Sequence, residues 1–396
     1  MQDTPRANRL HIAIFGRRNA GKSSLINAIT GQEIALVSNL AGTTTDPVYK
    51  TMELLPIGPV VIIDTAGLDD TGEIGELRIK KTKEVMDKTD LAILLFTPES
   101  YDFSLEKEWY NELVERKIPV IGVINKIDTS NSNDKQNLEI EKAFDIPFVR
   151  VSAKDKTNIG KLKEVIQTNS PIDFEKETIV GNLVKPKDLV ILVAPQDIQA
   201  PKGRLILPQV QVIRDLLDHD TMVLTVKDTE LEDMLSALNR KPDLVITDSQ
   251  VFQKVDCIIP KDVPLTSFSI LMAGFKGDLD ILVNGAKAIR NLKPGDKILI
   301  AESCTHHALK NDIGREKLPN WLTEMAGGEL DIKVVAGVDF PEDLSPYKLI
   351  FHCGACMFNR KQLLTRLIRA SEQHVPITNY GLAIAELKGI LDRVTF

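Results

Sequence analysis

Features typical of membrane, secreted and nucleic-acid-binding proteins are missing from this sequence. No apolar run approaches the roughly 18–20 residues that a helix needs to cross a bilayer. No apolar signal-peptide segment follows the first residues. Asp and Glu outnumber Lys and Arg by 56 to 49, so we expect neither a nucleic acid nor a membrane as partner. These absences predict a cytosolic protein.

Cysteine is scarce, with four residues in a chain of 396. So few cysteines in a long cytosolic chain argue against a disulfide framework and indicate metal binding or thiol reactivity. Three of them fall in two short segments that also contain histidine, Cys304-Thr305-His306 and His352-Cys353-Gly354-Ala355-Cys356. The fourth, Cys257, has no such company, and we expect it to be a small buried apolar residue.

A phosphate-binding loop is predicted directly after the first strand. Leu10 to Phe15 has the apolar pattern of a buried strand, and a helix is expected behind Ser24. Between them lies the pattern G-x-x-x-x-G-K-S, whose backbone N–H groups surround phosphate oxygens. Lys22 is expected to contact the β- and γ-phosphates, and Ser23 to bind Mg²⁺. The predicted phosphate-binding residues are Gly16, Asn19, Ala20, Gly21, Lys22, Ser23 and Ser24.

Two further motifs predict the magnesium and switch functions. A buried strand runs into Asp64-Thr65-Ala66-Gly67, where Asp64 is expected to hold Mg²⁺ through water and the Gly67 amide to sense a γ-phosphate. Thr44 lies in Gly42-Thr43-Thr44-Thr45-Asp46, in the position of a switch loop. We predict Ser23, Thr44 and Asp64 as magnesium ligands. The predicted catalytic residues are Lys22, Thr44, Asp64 and Gly67.

The base-binding motifs select guanine. Asn125-Lys126-Ile127-Asp128 follows another apolar strand, and the Asp128 carboxylate can accept two hydrogen bonds from the guanine N1 and N2 edge, which adenine does not offer. The backbone of Ser152-Ala153-Lys154 can face guanine O6. The predicted guanine-binding residues are Asn125, Lys126, Asp128, Ser152, Ala153 and Lys154. GTP is therefore the expected nucleotide.

Two details refine the class of GTPase. Leu68 follows the second magnesium motif, so the glutamine that orients the attacking water in Ras-like enzymes is missing. The pattern G-x-x-N-x-G-K-S and the G-T-T of the switch resemble bacterial GTPases of tRNA modification and ribosome assembly. In several of those the loop asparagine helps to hold a potassium ion, and this resemblance makes Asn19 a candidate K⁺ ligand. The alternative is that Asn19 only caps the loop.

We predict an α/β fold with an N-terminal P-loop GTPase domain followed by two smaller parallel-sheet α/β domains. Length alone predicts two or three domains. Polar, proline-containing segments predict a GTPase domain over residues 1–170, and strands alternate with helices over 183–265 and 266–396. The middle segment contains no catalytic motif, and we expect it to form a homodimer.

The two cysteine segments are expected to meet. Cys304 and Cys353 each follow a predicted strand, and ligands in parallel sheets bind outside the carboxyl ends of the strands. Cys356 is close to the start of the next predicted helix, whose N–H groups would favour an anionic thiolate. Three thiolates with one histidine suit zinc or an iron–sulfur cluster, and the spacing does not decide between them.

The combination of this GTPase, an α/β middle and C-x-H…H-C-x-x-C resembles the iron–iron hydrogenase maturation GTPases, the HydF family. The resemblance covers essentially the whole chain. It implies a 4Fe–4S cluster bound by Cys304, Cys353 and Cys356, with an exchangeable fourth ligand. It also implies a scaffold that receives a di-iron precursor from radical-enzyme maturases and delivers it to the apo-hydrogenase.

The fourth ligand and one alternative function stay open. His306 ranks first because it shares a side with Cys304 on an extended segment, and His352 and Glu302 follow. The alternative function is a zinc-containing GTPase of tRNA modification or ribosome assembly. The acidic composition argues against that alternative.

Overall fold

The chain folds as two compact units, residues 1–174 and 175–396. The structure is a computed structural model. The structure describes residues 6–31, 47–65, 73–99, 102–129, 134–171, 178–196, 205–303 and 312–396.

The first unit contains a six-stranded sheet with the strand order β2-β3-β1-β4-β5-β6. Only the edge strand β2 is antiparallel to its neighbour. The other strands are parallel and apolar throughout, as expected for strands that helices cover on both faces. The strands are β1 (Leu10–Gly16), β2 (Val48–Leu54), β3 (Gly58–Asp64), β4 (Leu91–Phe96), β5 (Val120–Ile124) and β6 (Phe148–Arg150).

Five helices cover this sheet and create a core on each face. Alternate residues of β1 point to opposite faces, so Ile12 and Ile14 belong to one core and Ala13 and Phe15 to the other. Helices α1 and α5 pack on the first face, and α2 and α3 on the second. The helices are α1 (Lys22–Thr30), α2 (Glu73–Met86), α3 (Ser104–Glu115), α4 (Asp134–Ala143) and α5 (Ile159–Asn169).

The second unit contains two four-stranded sheets, both fully parallel. The strand order is β10-β9-β7-β8 in one sheet and β12-β11-β13-β14 in the other. The strands of the first are β7 (Leu189–Val193), β8 (Met222–Val226), β9 (Leu244–Thr247) and β10 (Leu265–Ser267). Those of the second are β11 (Lys297–Glu302), β12 (Asp331–Ala336), β13 (Leu349–His352) and β14 (Ile377–Asn379).

One apolar core extends across both of these sheets. It includes Ile191 and Val245 from the first sheet and Leu299 and Ile350 from the second. Gly285 allows α10 to contact β14 directly, because a Cβ at this position would lie 1.9 Å from the carbonyl oxygen of Ile377. The helices are α6 (Leu207–Asp218), α7 (Leu231–Ala237), α8 (Phe252–Ile258), α9 (Phe268–Lys276), α10 (Leu279–Lys287), α11 (Leu318–Ala326), α12 (Arg360–Glu372) and α13 (Tyr380–Leu387).

The predicted fold class is confirmed, with one strand and one cysteine placed differently from expectation. Strand β10 extends across the boundary expected between residues 265 and 266 and pairs with β9 of the first sheet. Cys257 is exposed on α8, so the prediction that it is buried was wrong. No helix in the described parts of the chain is long and apolar enough to cross a membrane.

His11 makes the stability of the first unit depend on pH. His11 is 7% exposed, and its Nδ1 lies 2.8 Å from the carbonyl oxygen of Arg9. Burial lowers the pKa of His11 from 6.5 to about 4. The folded chain therefore keeps a neutral imidazole at pH values where the unfolded chain binds a proton. This contribution to stability is complete above pH 6.5 and is lost as the pH falls towards 4.

We expect His11→Gln to flatten the pH dependence of unfolding of the first unit. The slope that His11 adds below its unfolded pKa is at most about 1.4 kcal/mol per pH unit. Urea unfolding would be followed by the fluorescence of the buried Trp109 in a Trp321→Phe background, since the chain has two tryptophans. His219→Gln in the second unit is the matched control. An unchanged slope in His11→Gln would contradict the assignment.

Candidate functional site

The predicted phosphate loop leaves the carboxyl end of β1 and leads directly into α1. Lys22 Nζ donates to the carbonyl oxygens of Gly16, at 2.9 Å, and Arg17, at 3.0 Å, so its ammonium lies over the loop. Gly21 has φ +95°, and a Cβ there would lie 2.4 Å from the Asn125 side-chain nitrogen. The loop can therefore adopt this path only with glycine at position 21.

Arg17 connects this loop to α3. Its Nε donates to Oε1 of Glu106 at 2.6 Å, and Nη2 donates to Oε2 at 2.9 Å. The Glu106 side chain is 1% exposed, and a second Nη2 bond reaches the carbonyl oxygen of Asp102 at 2.5 Å. This pair could not be predicted from the sequence, because no local pattern connects residues 89 positions apart.

Two of the three predicted magnesium ligands are adjacent. Ser23 Oγ donates to Asp64 Oδ2 at 2.7 Å. Burial raises the pKa of Asp64 above its usual value, although the Ser23 hydroxyl, Lys22 and Lys50 lower it in part. A hydroxyl and a carboxylate are oxygen ligands of the kind that Mg²⁺ prefers, so this pair fits the ion. The third predicted ligand, Thr44, and the predicted sensor Gly67 lie outside the described residues.

Asn125 connects the base-binding side to the phosphate loop. The residue is 2% exposed, and its side-chain nitrogen donates to the carbonyl oxygen of Ala20 at 3.0 Å. Its side-chain oxygen accepts from the backbone N–H of Ala153 at 3.0 Å. A single buried amide therefore fixes two loops that follow different strands. The sequence motif predicts Asn125 in the site but not this bridge between two loops.

Asp128 and Asn19 point outwards from this site. The Ser152 hydroxyl lowers the pKa of Asp128, and Lys154 and Lys126 lower it further, so the carboxylate is ionised at neutral pH. Asn19 is exposed and has φ +60°. Its side chain makes no hydrogen bond among the described residues, which gives no support to the alternative that it caps the loop.

A second site lies at the carboxyl ends of β11, β13 and β14. Cys353 follows β13 directly, and its Sγ lies 3.0 Å from the backbone nitrogen of Ser303 and 2.9 Å from the Ser303 hydroxyl. Cys304 is the next residue and, like His306, lies outside the described residues.

Lys276, at the end of α9, holds the loop that carries the other two cysteines. The residue is 1% exposed, and Nζ donates to the carbonyl oxygens of Ala355 at 2.9 Å, Cys356 at 3.3 Å and Phe358 at 2.9 Å. Burial raises the pKa of the Cys356 thiol, as does Cys353, whereas Lys276 lowers it. Lys276 therefore places a buried positive charge against the cysteine loop.

Helix α12 begins close to Cys356. It starts at Arg360, four residues after Cys356, and the Asn359 side chain accepts from the N–H of Gln362. That the first amides of α12 favour an anionic thiolate stays a prediction. Burial raises the pKa of Cys356 overall, and Lys276 is the charged side chain that lowers it in part.

His352 uses both ring nitrogens within the protein. Arg366 Nη1 lies 3.0 Å from Nε2, and because arginine only donates, Nε2 is the acceptor. Nδ1 then carries the proton and donates to the carbonyl oxygen of Cys353 at 2.9 Å. Burial, reinforced by Arg366, lowers the pKa of His352 to about 3. The structure therefore argues against His352 as a metal ligand.

Glu302 is similarly occupied. It is 2% exposed, and its Oε2 accepts from Nη2 of Arg315 at 2.8 Å. This ion pair occupies one of its two carboxylate oxygens. Of the three candidate fourth ligands, the two that the structure describes are therefore engaged elsewhere.

The donor set fits a thiolate-bound group. Cys353 and Cys356 are free thiols, Ser303 provides an N–H donor to sulfur, and Lys276 supplies a buried positive charge. Within the described ranges, no three His, Cys, Asp or Glu residues are close enough to hold a metal. Cys304, which would complete the set, lies outside those ranges.

Three family models match parts of the chain. Residues 11–126 match the 50S ribosome-binding GTPase model, so the first unit is a GTPase. Residues 179–277 match the hydrogen maturase F dimerization domain. Residues 280–395 match the hydrogen maturase F tetramerization domain. The second unit therefore belongs to an oligomer-forming family.

The curated relatives GTPase Der and MnmE each match less than half of the chain. GTPase Der of Sulfurimonas denitrificans is 33% identical over 173 residues, which cover 41% of this chain and 35% of that protein. The tRNA modification GTPase MnmE of Acinetobacter baumannii is 33% identical over 176 residues, 43% of this chain and 37% of that protein. The chain thus spans about a third of the length of these relatives.

Solved structures also resemble the chain. Aquifex aeolicus Era bound to GDP·AlF4⁻ has a TM-score of 0.38 and 20% identity over 55% of this chain and 92% of that chain. The G domain of the T. maritima FeoB iron transporter has a TM-score of 0.32 and 25% identity over 41% of this chain and 99% of that chain. The two hydrogen maturase F models together match more than half of the chain, which belongs to the HydF family of hydrogenase maturation GTPases.

Proposed function

We propose that this GTPase is a cytosolic carrier that binds a 4Fe–4S cluster and delivers a di-iron precursor during maturation of iron–iron hydrogenase. Cys304, Cys353 and Cys356 would hold the cluster, with His306 as the first candidate for an exchangeable fourth ligand. The observation that carries this proposal is the contact of Cys353 Sγ with Ser303, the residue that directly precedes Cys304 in the sequence. The precursor is cargo, received from radical-enzyme maturases and passed to the apo-hydrogenase.

The cysteine site suits a group that must be held firmly and yet exchange one ligand. When bound, the cluster supplies an iron with one displaceable ligand, to which a second iron compound can attach. The protein contributes the two thiols, the Ser303 N–H donor and the Lys276 charge. The Ser303 N–H donates to Cys353 Sγ and Lys276 binds the carbonyl oxygens of the loop, so both hold the cysteine loop in place.

At the nucleotide site, each group has a separate role. Lys22 would bind the β- and γ-phosphates once its ammonium leaves the loop carbonyls, and Ser23 and Asp64 would hold Mg²⁺. Asp128 would bind the guanine edge, and the backbone near Ala153, fixed by Asn125, would face guanine O6. The exposed Asn19 would bind K⁺. Thr44 and Gly67 would respond to the γ-phosphate and so report the nucleotide state.

Replacing the three predicted cysteine ligands tests the cluster. We expect anaerobically reconstituted wild-type protein to be brown, and each of Cys304→Ser, Cys353→Ser and Cys356→Ser to retain far less iron and sulfide per chain, because a thiolate ligand is lost. Cys257→Ser is the matched control, since Cys257 is exposed on α8. Colourless wild-type protein that contains zinc would instead support the tRNA-modification or ribosome-assembly alternative.

Replacing Asp128 tests the assignment of the guanine site. Asp128→Asn exchanges a two-fold acceptor for one acceptor and one donor, so GDP binding should weaken about tenfold to a hundredfold, as expected for a hydrogen bond to a charged group. Xanthosine diphosphate, which has a carbonyl at the same edge, should bind more tightly to Asp128→Asn than to wild type. Isothermal titration measures both affinities. Asp155→Asn, at the residue that follows Lys154, is the control. Equal losses of GDP affinity in both variants would reject the assignment.

We further propose that oligomers form through the edge strand β8. Met222 on this strand is 46% exposed, and Leu217 on the neighbouring helix is 55% exposed. β8 lies at the end of its sheet, so one side of its backbone can pair with another chain. A second copy of this chain is the expected partner, since the segment matches a dimerization domain.

A charge on β8 should break this association. Met222→Lys places an ammonium at the edge, where lysine discourages pairing between sheet edges. Light scattering should then show a lower molar mass than for wild type at the same concentration. Leu138→Lys, an equally exposed apolar position in the first unit, should leave the mass unchanged. A wild-type mass in Met222→Lys would place the interface elsewhere.

A further inference from the structure

Tyr380 brings a third strand end to the cysteine site. It follows β14 directly as the first residue of α13. Its hydroxyl oxygen is buried and has no hydrogen-bond partner among the described residues. Buried hydroxyls are usually paired, and an unpaired one requires an explanation.

The hydroxyl lies beside the groups already assigned to this site. A Cβ at Gly314 would lie 2.2 Å from Tyr380 Oη and 3.1 Å from Glu302 Oε1, so one methyl-sized group would touch both. Burial raises the pKa of Tyr380, and Cys353 raises it further, followed by Glu302 and Asp312. The phenol therefore remains protonated and can donate.

Neighbouring acceptors are occupied by other donors. Ser303 contacts Cys353 Sγ through both its N–H and its hydroxyl. Asp312 Oδ1 accepts from the N–H groups of Gly314 and Arg315, at 2.9 and 3.0 Å. Glu302 is paired with Arg315. None of these acceptors forms a hydrogen bond with the Tyr380 hydroxyl.

We propose that Tyr380 is a positioning residue whose O–H donates a hydrogen bond to an anionic ligand bound at the exchangeable iron of the cluster. This inference rests on the proposed cluster function and adds a group that recognises what the iron carries. An anion is the expected class, because a phenol gives its strongest hydrogen bonds to charged acceptors. Cys353 is the less suitable acceptor because its sulfur already accepts from the Ser303 N–H and contacts the Ser303 hydroxyl.

The experiment compares wild type, Tyr380→Phe and Tyr347→Phe with azide as the probe. All three full-length proteins would be reconstituted anaerobically and matched for iron and sulfide, and azide would be titrated while the electron paramagnetic resonance of the reduced cluster is recorded. We expect Tyr380→Phe to keep the cluster but to bind azide about fivefold to tenfold more weakly, the loss of one hydrogen bond. Tyr347 precedes the amino-terminal end of β13, whereas the cysteine site lies at the carboxyl ends of the strands. Tyr347→Phe is therefore the matched control and should bind azide as wild type does.

The outcomes separate this inference from the proposed function. Wild-type protein that takes up no iron would overturn the cluster proposal itself. A loaded wild type that binds no azide, or a Tyr380→Phe protein with wild-type azide affinity, would overturn the role of Tyr380 alone. A change in melting temperature without a change in azide affinity would show a purely structural residue. Weaker azide binding with an unchanged melting temperature would support the inference.

Discussion

The position of every candidate group depends on one constraint, that parallel strands end at the same edge of their sheet. In the first unit this edge collects the loop after β1, Asp64 on β3 and Asn125 after β5. In the second unit it collects Ser303, Cys353 and Tyr380 after β11, β13 and β14. Residues far apart in sequence become neighbours because their strands are paired in register. The same topology thus builds a nucleotide site and a thiol site.

Buried polar side chains turn this proximity into a defined geometry. Asn125 joins the loops of Ala20 and Ala153, and Lys276 gathers three carbonyl oxygens of the cysteine loop. Each must find its partners, because a buried polar group without them is costly. Loops that are otherwise free to vary are therefore held in one arrangement. The two sites share this device although their chemistry differs.

Sequence alone predicted those parts of the structure whose signals are local. Strand β1 and its glycine loop are adjacent, and alternating strands and helices identified both sheets of the second unit. Helix α9 was missed because its residues are buried on almost every side, which removes the 3.6-residue pattern. Edge strand β2 alternates only weakly between buried and exposed positions. Lys276 was missed because its partners lie about 80 residues further along the chain.

The histidine of the motif H-C-x-x-C shows why spacing cannot assign ligands. Its ring binds Arg366, whose guanidinium also donates to the Gly337 carbonyl oxygen and lies 4.5 Å from the centre of the Phe358 ring. Phe358 is in turn held through its carbonyl oxygen by Lys276. His352 is therefore connected through Arg366 and Phe358 to Lys276, which binds the cysteine loop. The residue next to Cys353 is buried, and both of its ring nitrogens are occupied by partners within the protein, although the motif spacing alone made it a candidate ligand.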